Sequence, residues 1–224
     1  ERILTVGLSD PYSFDVSGDG GTLLFTRAVS NPGHPAGLSS FSDIYRHETD
    51  SGETRRLTRE ARLWQPAISP DGSRGVVVEQ VGSYSRLLAV DPETGKAKSV
   101  FDFPKTTVKY PDFSPDGERI AFILNRTGKQ DLVVATIVEP EQGRAAEMAS
   151  LGGSSVPVCL ASSSVPSDGG ERSRDRPAWR LGRVVSVTEI WDPPVYMPRF
   201  VSDDVILFSS DPEDTTAIYA ADLT

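Results

Sequence analysis

The sequence predicts an all-β fold, a β-propeller built of four-stranded antiparallel blades and about five repeat lengths long. Three observations carry that prediction. A turn-forming tetrapeptide recurs at near-regular spacing, each copy is followed by a short apolar run rich in β-branched residues, and helical periodicity is almost absent. The two clearest copies are Pro66-Ala67-Ile68-Ser69-Pro70-Asp71-Gly72 and Pro111-Asp112-Phe113-Ser114-Pro115-Asp116-Gly117, with 45 residues from Asp71 to Asp116. An earlier copy reads Ser17-Gly18-Asp19-Gly20, with Asp19 lying 52 residues before Asp71. A later, eroded copy runs from Pro198 through Ser202-Asp203-Asp204, and Asp203 follows Asp116 by 87 residues, close to two repeat lengths.

The residue types explain the unit. In Ser-Pro-Asp-Gly the proline presets φ near −65°, the aspartate bonds back to nearby amides, and the glycine accepts positive φ. A short extended piece enters this turn, and a buried strand such as residues 120–124 leaves it. Asn125-Arg126-Thr127-Gly128-Lys129 then turns the chain into a third strand at 131–136. The second unit shows its third strand at 86–90, the turn Asp91-Pro92-Glu93-Thr94-Gly95-Lys96 and a fourth strand at 97–100. Four short strands in about 45 residues is the period of a propeller blade.

The expected blades are 8–58, 59–101 and 102–151, the last completed by a fourth strand at 145–151. A degenerate blade or insertion follows at 152–190, and 191–224 forms a blade that closes with residues 1–7. Residues 171–183 carry five Arg against Glu171 and Asp175, a local net of +3 that reads as a solvated loop. The last strand, 217–221, looks like the third of a blade, and residues 2–6 look like a fourth. One terminus completing the other's blade would close the ring; a segment of a larger propeller is the favoured alternative.

Composition removes several functions. The 224 residues include 23 Lys+Arg against 32 Asp+Glu, for a net charge of −9. That balance argues against a nucleic-acid binder, which needs a basic face. No apolar run approaches the roughly 20 residues that cross a bilayer as a helix, so no membrane insertion is expected. Cys159 is alone and forms no disulfide within the chain, and no signal peptide is legible at the start.

Aromatic, Pro, apolar, Ser-Pro-Asp-Gly, apolar-x-apolar is a pattern that resembles the WD40-like Pro-Asp repeat of TolB-type β-propellers, over residues 12–136. Trp191-Asp192, the one Trp-Asp pair, reads as chance rather than as a WD40 signature. The resemblance implies an extracytoplasmic, periplasmic bacterial scaffold that binds a protein partner, or a peptide or glycan, through one end of its channel. It implies a monomer or part of a larger chain. The same repeat resembles the propellers of prolyl-oligopeptidase-type serine peptidases, so the alternative is a substrate-gating domain whose catalytic part lies outside this chain.

Catalytic signatures are weak, and the chain reads as non-catalytic, with no cofactor and no metal. No Gly-x-Ser-x-Gly pentapeptide occurs, and the two histidines, His34 in a loop and His47 on a third strand, read as surface residues. Asp71 and Asp116 sit where the turn needs them. A partner-binding set is suggested by the aromatics one or two places before each first strand: Tyr12, Trp64, Tyr110 and Tyr196. Propeller geometry, taken from the resemblance, puts them around the channel mouth, where rigid rings with polar tips make good interface anchors. Packing between blades is the competing role. The stiff loop at 28–41, with Asn31-Pro32-Gly33-His34-Pro35, belongs to the same face, and His34 joins the candidate set.

Overall fold

The computed structural model describes residues 13–30, 40–102, 105–126, 128–139, 179–189, 191, 193–212 and 215–224. Fifteen strands among these residues form four antiparallel sheets, and no helix is present among them. Blade 1 is β1 (Phe14–Val16), β2 (Thr22–Ser30), β3 (Ser40–Glu48) and β4 (Thr54–Arg56). Blade 2 is β5 (Leu63–Ile68), β6 (Gly75–Val81), β7 (Tyr84–Val90) and β8 (Ala97–Phe101). Blade 3 is β9 (Thr106–Phe113), β10 (Arg119–Arg126), β11 (Lys129–Val138) and β12 (Arg180–Ser186). Blade 4 is β13 (Val195–Ser202), β14 (Val205–Ser210) and β15 (Ala217–Asp222). Strand order within each sheet follows the sequence, the up-and-down meander of a propeller blade, and the fold is a four-blade arrangement.

Blade 3 differs from the sequence reading. Its outer strand is β12, which pairs with β11 from Val133↔Ser186 to Val138↔Arg180. The position expected for residues 145–151 is therefore filled by residues 180–186. Of the stretch 152–190, expected as a degenerate blade or an insertion, the described residues 180–186 belong to blade 3. Residues 145–151, like the expected closing strand at 1–7, lie outside the described residues. Blade 1 has longer inner hairpin strands than expected, with β2 reaching Ser30 and β3 starting at Ser40.

The repeated turn is built the same way three times. In blade 2 the Ser69 hydroxyl donates to Asp71 Oδ1 at 2.6 Å and accepts from the Arg74 amide at 2.9 Å. Ser17 with Asp19 and Thr22, and Ser114 with Asp116 and Arg119, repeat both bonds. Gly20, Gly72 and Gly117 hold φ of 73°, 74° and 71°, the left-handed region that disfavours a Cβ. Successive turns also touch: the Gly18 amide donates to Pro70 O at 2.8 Å, and the Asp116 amide to Asp203 Oδ1 at 2.9 Å. The aspartates thus carry the turn, as their spacing suggested.

Apolar side chains fill the spaces between sheets. Leu24 and Ile44 of blade 1 pack with Leu63, Ile68, Val77 and Leu88 of blade 2. Val76, Leu87 and Phe101 of blade 2 meet Phe113, Ile120, Phe122 and Trp179 of blade 3. Ile123 and Leu132 of blade 3 meet Val195, Ile206 and Phe208 of blade 4. Each sheet buries its faces on its neighbours, so the blades stabilise one another rather than standing alone. Trp191 has a core role: it packs edge-on to Phe208 and Tyr219 and donates Nε1–H to Ser210 Oγ at 3.0 Å.

Candidate functional site at the propeller axis

The first strands β1, β5, β9 and β13 are the innermost of their blades, and three of them carry the same defect. The pairing with the second strand slips at Gln65-Pro66, at Tyr110-Pro111 and at Met197-Pro198. In each, the residue before proline is left-handed, with φ of 46° at Gln65, 53° at Tyr110 and 47° at Met197. A β-bulge explains both facts. It leaves one residue unpaired and bends the strand, and proline fits there because it has no N–H to lose from the ladder. Left-handed backbone at three non-glycine residues is strained, and such strain concentrates at functional positions.

Two residues after each bulge residue, and at the matching place in β1, four residues share one register position: Asp15, Ala67, Asp112 and Arg199. Asp15 Oδ2 accepts the Ile68 amide of the next blade at 2.9 Å. Asp112 does the same between blades 3 and 4, accepting the Phe200 amide at 2.7 Å. Ala67 has no such acceptor, and between blades 2 and 3 the Gln65 carboxamide substitutes, its Oε1 accepting the Tyr110 amide at 2.9 Å. Arg199 reaches back to both carboxylates with one nitrogen: Nη1 lies 2.6 Å from Asp112 Oδ1 and 3.6 Å from Asp15 Oδ1. It thereby links blade 4 to blade 1.

Burial dominates the electrostatics of this triad. Asp112 is only 6% exposed, and loss of hydration pushes its carboxyl up to about 6, against the opposing pull of Arg199 and the Phe200 amide. Asp15 is also raised, again chiefly by burial, and Arg199 is raised by the two carboxylates in excess of its own desolvation. One guanidinium is shared by two acids, so the triad keeps a net charge of −1. Beside it lies a cavity of about 60 Å³ lined by the three bulges, Gln65-Pro66, Tyr110-Pro111 and Met197-Pro198, and by Arg199. A wider groove of about 520 Å³ between blades 1 and 2 is lined by Arg59, Glu60, Arg62 and Glu79 among others, charges of both signs open to solvent.

The aromatic set expected at the mouth is only partly assembled as one ring. Trp64, Tyr110 and Tyr196 lie inside β5, β9 and β13 rather than before them. Aligned on the bulges, Trp64 and Tyr196 share a register with Lys109, whereas Tyr110 stands one place later, at the left-handed position itself. Trp64 packs half-buried against the core between blades 2 and 3, and Tyr110 against that between blades 3 and 4. Tyr110 also lines the axial cavity. Tyr12 and His34 lie outside the described residues. His47 is buried rather than on the surface, with its Nδ1 2.8 Å from Thr54 Oγ1. The axial Asp15, Asp112 and Arg199 went unrecognised in the sequence; the signal was the changing residue four places before each turn aspartate.

No protein-family model and no curated protein matches the chain. Solved structures do. A candidate TolB from Agrobacterium tumefaciens superposes with a TM-score of 0.61 at 17% identity, covering 94% of this chain and 61% of its own. The fold is that of the TolB-type propellers. TolB from Acinetobacter baumannii gives a TM-score of 0.55 at 14% identity over 95% of this chain and 41% of that protein. Tricorn protease gives 0.56 at 14% identity over 95% of this chain and 21% of its own. At such identities the likeness is one of fold, and this chain spans about three fifths of the Agrobacterium TolB-type structure and two fifths of the Acinetobacter one.

Proposed function

We propose that the chain is a non-catalytic β-propeller scaffold that binds a protein partner on its channel face, in an extracytoplasmic compartment. The state of the axis carries this reading. Among the described residues the ion triad ties blades 1, 3 and 4 together, and the cavity beside it, about 60 Å³, is far below the roughly 300–1,000 Å³ of pockets that enclose small molecules. Recognition is then a matter of the rim. There Trp64, Lys109 and Tyr196 share one register, and the bulges fix the backbone beneath them. A gating domain of a peptidase calls for an open tunnel, and the Arg199 bridge stands against it. The likeness to TolB-type structures supports the scaffold reading and the compartment. No described helix is long and apolar enough to cross a membrane.

Immobilised protein incubated with periplasmic extract tests the reading. Wild type should retain a discrete partner, Lys109→Glu and Tyr196→Ala should reduce its recovery several-fold, and Glu118→Lys, beside the repeated turn on the opposite face, should not. Equal recovery by all four proteins would refute binding at the channel face.

A further inference from the structure

Arg199 and Gln65 bring to the axial cavity N–H groups that no protein atom among the described residues accepts. Arg199 has five N–H groups in a planar fork, yet both of its contacts, to Asp112 and Asp15, use Nη1 alone. Its Nε and Nη2 have no protein partner among the described residues. Gln65 spends its carboxamide oxygen on the Tyr110 amide, which leaves the Nε2 hydrogens without a partner among the described residues. Both side chains line the cavity, and the remaining side chains around it, Pro66, Pro111, Pro198, Met197 and Tyr110, give it an apolar wall.

Charge selects among acceptors. The triad is net negative, so a carboxylate or phosphate approaching Arg199 is repelled by Asp15 and Asp112 just behind it. An ammonium group meets the guanidinium first. A neutral acceptor incurs neither penalty. Size narrows the choice further, since about 60 Å³ admits one small group and no whole residue. We propose that this cavity seats a single neutral carbonyl from the protein partner, a loop-tip peptide carbonyl or an Asn/Gln side chain, held by Gln65 Nε2 and the free edge of the Arg199 guanidinium. This rests on the partner-binding function proposed above and names the group that the partner supplies. Three bulges anchored by proline hold the walls in place before binding, which lowers the ordering cost of so small a contact.

Side-chain ¹⁵N spectra of the full chain, titrated with N-methylacetamide, acetate and methylammonium in turn, test the proposal. N-methylacetamide should shift the Arg199 Nε and Gln65 Nε2 signals saturably, with acetate and methylammonium at least roughly tenfold weaker, the worth of one good hydrogen bond. Gln65→Glu keeps an oxygen for the Tyr110 amide and removes the donor, so it should weaken N-methylacetamide about tenfold while the Tyr110 amide signal stays in place. Tighter binding of acetate, no saturable shift with any probe, or unchanged affinity in Gln65→Glu would overturn the proposal. Partner capture that depends on Lys109 and Tyr196 without any probe binding would sink this inference and leave the proposed function standing. Probe binding without capture would do the reverse.

Discussion

Neutralising Asp112 should remove much of the protein's stability change between pH 4 and pH 6. Burial lifts this carboxyl from 3.8 to about 6, so between those values the folded state holds a proton that the unfolded chain has released. Where the folded state binds more protons, stability falls as pH rises, and it is recovered on acidification through 6. A shift of about two pH units corresponds to roughly 3 kcal/mol at 1.36 kcal/mol per unit. Arg199 opposes the shift, and because it is 56% exposed water screens that opposition rather than the burial that raises Asp112; about 3 kcal/mol is the working expectation. Asp71 acts in the opposite sense. The Ser69 hydroxyl, the Ser73 hydroxyl and the Ser73 amide hold it down at about 2, so its contribution is present above 3.8 and is lost as pH falls towards 2. The wild type should therefore be most stable near pH 4–5. Urea denaturation at half-unit steps from pH 4 to 8 measures the slope directly. Asp112→Asn, a mimic of the protonated acid, should flatten it, with the residue left over assigned to Asp15 and Asp131, which burial also raises. A wild type whose stability climbs with pH across 4–6, or an Asn variant with the same slope, would refute the reasoning.

Three further outcomes follow from local geometry. Gly95→Ala should cost about 3 kcal/mol by thermal denaturation, since φ is +72° and a Cβ would stand 2.3 Å from Leu57 O of blade 1. Ser114→Ala removes the donor to Asp116 and the acceptor of the Arg119 amide together; about 1–2 kcal/mol should be lost in urea, with Asp116 titrating nearer the ordinary carboxylate range by NMR. Trp191→Ala should cost about 2–3 kcal/mol, because the indole packs on Phe208 and Tyr219 and holds Ser210. The loss should show as earlier exchange of blade 4 amides than of blade 2 amides.

What was legible in the sequence was whatever local chemistry dictates. Ser69-Pro70-Asp71-Gly72 forms its turn from its own atoms, so the turn and the strands beside it stand where expected: 86–90 lies inside β7, and 120–124 inside β10. The outer strand of blade 3 was not legible, because Arg180-Leu181-Gly182-Arg183-Val184 has no turn beside it that ties it to β11. Its assignment rests on pairing across more than 40 residues, from Ile137 to Leu181. Gly182 is the local mark of that pairing, since a Cβ there would meet Val138 and Thr136 of β11 at 2.6 and 2.7 Å. His47 read as a surface residue because polarity says nothing of which sheet face a side chain occupies, and here it is buried beside Thr54.

The axial triad was hidden for a different reason. In a repeat, attention goes to what recurs, and the position four places before each turn aspartate does not recur: it is Asp15, Ala67, Asp112 and Arg199. Only the ring shows why variation is required there. A carboxylate at this position binds the next blade's amide, as Asp15 and Asp112 do, but four acids around one axis would repel one another where burial already raises Asp15 and Asp112. An alanine in blade 2 removes one charge and passes the linking role to Gln65. An arginine in blade 4 offsets the charge of the remaining pair and binds both. Substitution of Ala67 by Asp would restore the repeat and break this balance: a third carboxylate would raise Asp112 further above 6, and the stability lost at pH 8 should be regained near pH 5. A variant as stable at pH 8 as the wild type would show that the axis tolerates repetition, and that the alternation has no electrostatic cause.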